Sequence, residues 1–405
     1  MNRLRSVFRP ESAYKAFILS VLSVGVSYGL YKGVIDNYLA DIVNMSAFDK
    51  GASEFFRELP GLALVFILAA LHACSAEKIY RIGAWIMLLG MALQTATPPT
   101  RALVTLVIFI FSLGDHMQIG MRNALSLHYA RDGKGGAALG AQNAIYQAGT
   151  LVGFLAVVAI FYFFAGSLGV FRAVFGFSAF LIGISVVANL RLQDSGATGK
   201  RARRFYFRKK FRKYYMLEVF YGARKQIFFT FGPYALVLFY GASAMTIGLL
   251  FALAAVCSFI ASPLIGRIVD RFGYKIVMVA DTLILVIVCL LYGFAHRIFP
   301  MKVAFVVCCV NYVLDSVISL ASMATSVYAK DLSDDVDEMK ATLSTGLSVN
   351  HLVTIFVALF GGWIWKKTGI ETLFTLSALL GICNSAYAAT IKPRKIEEAL
   401  DRKSP

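Results

Sequence analysis

Apolar stretches of about twenty residues recur along the whole of this 405-residue chain, separated by short charged punctuation. At about 1.5 Å of rise per residue, each is long enough to cross a hydrocarbon core of about 30 Å. Hydrophobic residues fill 58% of the positions and charged residues 16%, against roughly half and a quarter in an ordinary globular domain. No stretch is left over for a soluble domain. The expected fold class is an all-α polytopic membrane protein with twelve transmembrane helices, near residues 14–42, 52–75, 79–97, 102–129, 136–165, 168–190, 214–240, 244–266, 275–296, 301–329, 340–365 and 369–391. The first block is read as a retained helix. Lys32, Asp36, Asn37 and Tyr38 continue it where a cleaved signal peptide would need small residues.

Most of the 40 Lys and Arg fall in the termini and in the loops after even-numbered helices, which places both termini in the cytoplasm by the positive-inside rule. The net charge of +17 is then mainly a record of topology. The richest run, Lys200 to Lys213, suits anionic lipid headgroups better than nucleic acid. The six cysteines all lie in apolar blocks without ligand spacing, and no nucleophile elbow, phosphate loop or zinc-helix motif stands in a suitable context. The expectation is therefore a protein that is not an enzyme and uses no cofactor and no bound metal.

The basic stretch 191–213 divides the helices six and six. The expected organisation is an amino-terminal bundle over 1–190, a cytoplasmic linker over 191–213, a second bundle over 214–391 and a cytoplasmic tail over 392–405. Internal similarity points to a duplication. Helix 4 ends Tyr129-Ala130-Arg131-Asp132 and helix 10 ends Tyr328-Ala329-Lys330-Asp331, while Tyr28-Gly29-Leu30-Tyr31-Lys32 of helix 1 matches Tyr221-Gly222-Ala223-Arg224-Lys225 of helix 7 more weakly.

Between helices 8 and 9 the segment Gly266-Arg267-Ile268-Val269-Asp270-Arg271-Phe272-Gly273-Tyr274-Lys275 resembles the G-x-x-x-D-R-x-G-x-[KR] loop signature of the major facilitator superfamily. Together with the layout, this resemblance spans the chain and implies two pseudo-symmetric six-helix bundles. It gives Gly266, Asp270 and Arg271 a gating role, holding cytoplasmic helix ends together. The corresponding loop after helix 2, His72 to Arg81, lacks the glycine and aspartate of the pattern, so other contacts are expected there. Residues 222–226, with Gly114-Asp115-His116 and Arg122-Asn123, resemble a bacterial branch of the superfamily, implying a multi-pass protein of the bacterial inner membrane.

Ionisable residues inside spanning helices cost about 2.5–3.5 kcal/mol each on insertion scales and often mark pathways. Here they are Lys32 and Asp36 on helix 1, Asp115, His116 and Arg122 on helix 4, Glu218, Arg224 and Lys225 on helix 7, Asp315 on helix 10 and His351 on helix 11. The resemblance implies that helices 1, 4, 7 and 10 line a central cavity. Asp115, Gln118, Arg122 and Ser126 share one helical face, as do Asn311, Asp315, Ser319, Ser322 and Ser326. The two stripes are expected to face each other across that cavity. Arg122, Lys32, Arg224, Gln118 and Asn350 are the candidate substrate ligands, and Asp115, Asp315, His351 and Glu218 the candidate coupling residues. Glu54, Arg57 and Glu58 read as an outer gate or a helix-start cluster, with Arg57 and Glu58 the gate candidates. Lys32 with Asp36, and Glu218 with Lys225, also read as structural pairs, and the serines of helix 10 as packing residues.

The function expected is secondary active transport by alternating access of a small anionic or zwitterionic metabolite, coupled to a proton or another ion. The alternatives are efflux of an amphipathic compound or lipid, suggested by 33 Phe and 19 Tyr, and a non-transporting receptor. The expected partners are the small-molecule substrate, the coupling ion and the lipid bilayer, with no nucleic acid. The expected state is a monomer.

Overall fold

The computed structural model describes residues 7–9, 12–71, 73–194 and 206–391. The linker core 195–205, the tail 392–405 and His72 lie outside the described residues. The helices are α1 (Ser12–Asn37), α2 (Ala47–Ala70), α3 (Ala76–Ala96), α4 (Arg101–His128), α5 (Gly135–Phe163), α6 (Leu168–Asn189), α7 (Arg212–Leu238), α8 (Ala244–Phe272), α9 (Tyr274–Ile298), α10, α11 (Val336–Thr368) and α12 (Ile370–Ala389). A π-helical turn, Tyr38–Ile42, extends α1. The tenth helix runs in two segments, Met301–Ile318 and Met323–Leu332, joined by a 3-10 turn at Ser319–Ser322. The chain is an all-α polytopic membrane protein. Among the described residues, ten of these rods are long and apolar enough to span a bilayer. The remaining two, α2 and α7, hold Lys50, Glu54, Arg57 and Glu58 and Glu218, Arg224 and Lys225.

Local chemistry sets several helix starts. The side chains of Ser75, Ser167 and Asp335 accept the backbone N–H groups of Lys78, Val170 and Glu338, satisfying donors that a first turn leaves open. Three prolines, Pro60, Pro233 and Pro263, lie inside helices. Pro60 stands deep inside α2, which begins at Ala47, five residues before the expected start at 52. Pro233 withholds the N–H that the Phe229 carbonyl would otherwise accept, and one residue before it the Gly232 carbonyl accepts from the Tyr292 hydroxyl of α9 at 2.6 Å.

Two compact units are present. The first takes Met1–Met45, Phe56–Arg201 and Ala242–Ala252, and the second Ser46–Phe55, Ala202–Gly241 and Leu253–Pro405. The first turns of α2 and of α8 thus belong to a different unit from the rest of their helices. Within the first unit α1 packs on α5 and α6, and α3 on α4 and α6. Within the second, α7 packs on α11 and α12, and α9 on α10 and α12. Each unit repeats one pairing scheme at an offset of six helices, which is what a duplication requires.

The weak match between helices 1 and 7 acquires a physical meaning from this scheme. A Cβ on Gly29 would overlap the Thr150 carbonyl of α5, and one on Gly222 would overlap the Asn350 side chain of α11. In both units the glycine lets a helix approach its equivalent neighbour closely. Each unit also has an aromatic core at the end where the fourth helix of its set stops. Phe8, Phe17, Tyr80 and Tyr129 are buried together in the first, and Phe211, Tyr214, Tyr215 and Tyr328 in the second.

Candidate functional site

The polar stripe of α4 is buried in the first unit. Asp115 and Gln118 lie 8% and 1% exposed. Gln118 turns to α3, donating to the Tyr80 carbonyl at 3.3 Å. His116 Nδ1 lies 2.9 Å from the Ser112 carbonyl, an oxygen that only accepts, so the proton sits on Nδ1. Ser112 in turn donates to the Arg57 carbonyl, fastening α4 to α2, and Arg57 pairs with Glu58 beside it.

Arg122 is treated differently. Its guanidinium lies over the Tyr146 ring of α5, 4.0 Å from the centroid, and Tyr146 packs against Tyr28. Among the described residues, Arg122 has no ion-pair partner and its Nε has no hydrogen-bond acceptor. Asp115, two turns away on the same face, has an Oδ1 that receives no hydrogen bond. A cation oriented by an aromatic face, with its planar fork committed to no acidic group, is suited to a carboxylate or phosphate. Lys32 pairs with Asp36 at 3.4 Å and lies over the Phe251 ring at 5.6 Å, so of the two expected readings of Lys32 the ion pair is the one formed here.

The second unit commits its arginine. Arg224 on α7 donates to Asp315 on α10 at 3.0 Å with both side chains almost fully buried, and its guanidinium stands over Tyr221 at 5.4 Å. Lys225 is exposed and lies 5.8 Å from the same ring, as expected for adjacent residues about 100° apart on a helix. Glu218 accepts from Asn350 of α11 at 3.4 Å, so Asn350 serves a neighbour. His351 follows it on α11 and is half-buried. Tyr221 donates to the Ser319 carbonyl at 3.3 Å, where the 3-10 turn interrupts α10.

The signature segment is mostly helix. Gly266 through Phe272 continue α8, correcting the expected end at 266, and only Gly273 separates α8 from α9, with φ +81. That left-handed conformation requires glycine, which accounts for the second glycine of the signature. Asp270 is exposed and makes no ion pair among the described residues. Arg271 rests on Phe272 at 5.5 Å. The junction is held instead by Tyr274, which donates to Asp331 at 2.7 Å.

The first-half junction is held by a residue that the sequence pattern did not single out. Asp194, just beyond α6, accepts from Ser75 at 3.2 Å and pairs with Lys78 at 3.6 Å and with Arg81. Despite some desolvation, the Arg81 guanidinium and Ser75 hydroxyl hold this carboxyl below its usual range. A lone acid entering a basic run was the available signal. Two further clasps were equally hidden. Val7 to Arg9 pairs antiparallel with the end of α4 through Phe8 and Ala130, with Arg9 and Asp132 3.1 Å apart. Lys50, 2% exposed, pairs with Glu54 at 2.9 Å.

Residues 214–404 match the sequence profile of the Major Facilitator Superfamily. No curated protein matches the chain by sequence. In fold the chain is similar to the nucleoside transporter NupG, with 15% identity and a TM-score of 0.74 over 94% of this chain and 99% of that one. It is similar also to a bacterial homologue of the iron transporter ferroportin in an inward-facing state, with 12% identity and a TM-score of 0.71 over 94% and 99%. A D-xylose–proton symporter gives 12% identity and a TM-score of 0.72 over 94% and 97%. The superfamily's sequence profile thus lies on the second half of the chain, while the likeness in fold to these three transporter structures extends over 94% of it.

Proposed function

We propose that the chain is a secondary transporter that carries a small anionic or zwitterionic solute by alternating access, with a proton as the coupling ion. In this reading it is a protein of the bacterial inner membrane with both termini in the cytoplasm. One observation carries the substrate class: Arg122 is stacked on Tyr146 without a carboxylate partner, whereas Arg224 is neutralised by Asp315. Arg122 is then the ligand for the acidic group, and Asp115 balances it in the empty protein and takes the proton. Arg224 with Asp315, and Glu218 with Asn350, respond to the cycle through their neighbours. The similar structures of a nucleoside transporter and a D-xylose–proton symporter support solute transport in general, and their cargoes serve as uncharged controls.

The test is counterflow in proteoliposomes with carboxylates, phosphorylated metabolites and amino acids, beside a nucleoside and D-xylose. An acidic or zwitterionic solute is expected to exchange in the wild type and to accumulate under an inward proton gradient. Asp115→Asn is expected to keep exchange and lose accumulation. A receptor would bind its ligand without moving it. Exchange of an uncharged solute alone, indifferent to Arg122→Ala, would overturn the assignment.

A further inference from the structure

Helix α6 has a face that packs against little. Gly176, Ala179, Gly183 and Val187 follow one another at intervals of three or four residues and so share one side of the helix, with Arg191 two residues beyond its end. With α1 and α3 they line a groove of about 690 Å³, within the roughly 300–1,000 Å³ usual for a ligand site. A Cβ built on Gly183 meets nothing within 4 Å. This glycine is therefore not there to let another helix approach; it leaves space. Leu19, Phe180 and Val187 along the groove are all exposed on the surface of the first unit, which in a spanning helix faces acyl chains.

The ends of the groove differ. From Gly176 to the end of α6 at Asn189 is thirteen residues, about 20 Å along a helix, more than the roughly 15 Å depth of one leaflet, and Arg191 follows just beyond. The lining is apolar except at Arg191. Arg191 is exposed and has no ion-pair partner among the described residues. Lys15, also exposed, immediately precedes the lining residue Ala16 at the start of α1. A channel for a hydrocarbon tail, ending at an uncommitted cation on the face from which the basic linker leaves, has the charge and shape of one molecule class.

We propose that this groove is a binding site for an anionic glycerophospholipid, with one acyl tail lying along Gly176, Gly183 and Val187 and the phosphate paired with Arg191. It is separate from the polar stripe of α4, so it binds lipid whether or not the transport assignment holds. The pairing favours an anionic over a zwitterionic headgroup by about fivefold, the effect of one surface arginine beside charged lipid.

Native mass spectrometry of the full chain, delipidated in detergent and offered equal amounts of dioleoyl phosphatidylglycerol and dioleoyl phosphatidylcholine, tests this. The wild type is expected to retain one lipid, preferentially phosphatidylglycerol. Gly183→Leu fills the groove and is expected to remove that adduct while leaving the size-exclusion profile unchanged. Arg191→Ala is expected to keep an adduct and lose the roughly fivefold preference. Should Gly183→Leu fail to fold, Ala179→Leu fills the same space. Retention unchanged by the filling substitutions, or headgroup preference unchanged by Arg191→Ala, would overturn the site.

Discussion

Arg224 of α7 and Asp315 of α10 form a buried ion pair at 3.0 Å, on residues 91 positions apart in the chain. Removing one partner strands the other charge away from water. Asp315→Leu is therefore expected to destabilise the protein by about 3–5 kcal/mol, whereas Arg224→Met combined with Asp315→Leu recovers most of that loss. Thermal unfolding in detergent reads both. A double variant no more stable than the single would show that the pair is not acting as a unit.

Arg122→Lys keeps the charge over Tyr146 but gives up the planar fork. It is expected to raise KM for an acidic substrate about tenfold with kcat nearly unchanged, because the fork holds substrate equally well before and during the conformational step. Expression and thermal stability stay near wild type. Concentration-dependent uptake in proteoliposomes measures it, and an unchanged KM would remove Arg122 from the binding site.

Glu338 offers a pH dependence outside the membrane. Although burial opposes its charge, hydrogen bonds from Lys210 at 2.6 Å, from the Tyr206 hydroxyl at 2.6 Å and from the Asp334 amide hold the carboxyl down to about 2. Its unfolded value is about 4.3. A depressed carboxyl contributes stability that is fully present above the unfolded value and is lost as pH falls through the folded one. The gap in Tm between wild type and Glu338→Gln is thus expected to be constant above about pH 5 and to close between about pH 4.3 and 2. A gap that persists at the acid end would contradict the assignment.

Much of the architecture was legible because apolar length and charged punctuation act locally. The existence and order of the helices follow from their own residues, although the ends of α2 and α8 do not, and the glycine at 273 has a φ of +81 that only that residue adopts readily. The side-chain types at depth were legible for the same reason. Their partners were not. Nothing in the neighbourhood of Arg122 says that it stacks on Tyr146, or that Gln118 turns to Tyr80; these depend on which helices pack together. The 3-10 turn at Ser319–Ser322 was hidden because Ser-Leu-Ala-Ser reads equally well as a small-residue packing face. The segment 267–271, with Arg267, Asp270 and Arg271, reads as loop, yet it extends α8 beyond its apolar part.

The signature aspartate gives a prediction with two readouts. Because Asp270 is exposed and unpaired among the described residues, Asp270→Asn is expected to change thermal stability by less than about 0.5 kcal/mol. Tyr274→Phe, which loses the 2.7 Å bond to Asp331, costs about 1.5–3 kcal/mol. If Asp270 closes a gate in another state of the cycle, Asp270→Asn still shifts the balance of cysteine accessibility between the two faces. Unchanged accessibility would deny it that role.

Orientation is checked on either side of α4. Thr100 and Lys134 are exposed just beyond its two ends. A cysteine at Thr100 is expected to react with an impermeant reagent from outside, and one at Lys134 only after the cytoplasmic face is opened. The reverse pattern would invert the topology.

The break in α10 works as an elbow. The forearm, Met323–Leu332, is anchored near its end where Asp331 takes the Tyr274 hydroxyl. The upper arm, Met301–Ile318, carries Asp315 about one turn before the joint. A 3-10 turn holds its backbone less firmly than an α-helix, and Tyr221 steadies it with one hydrogen bond to Ser319. The two arms are therefore fastened independently, the upper one to α7 through Asp315 and Arg224 and the forearm to α9 through Asp331 and Tyr274, so that loosening one contact leaves the other in place.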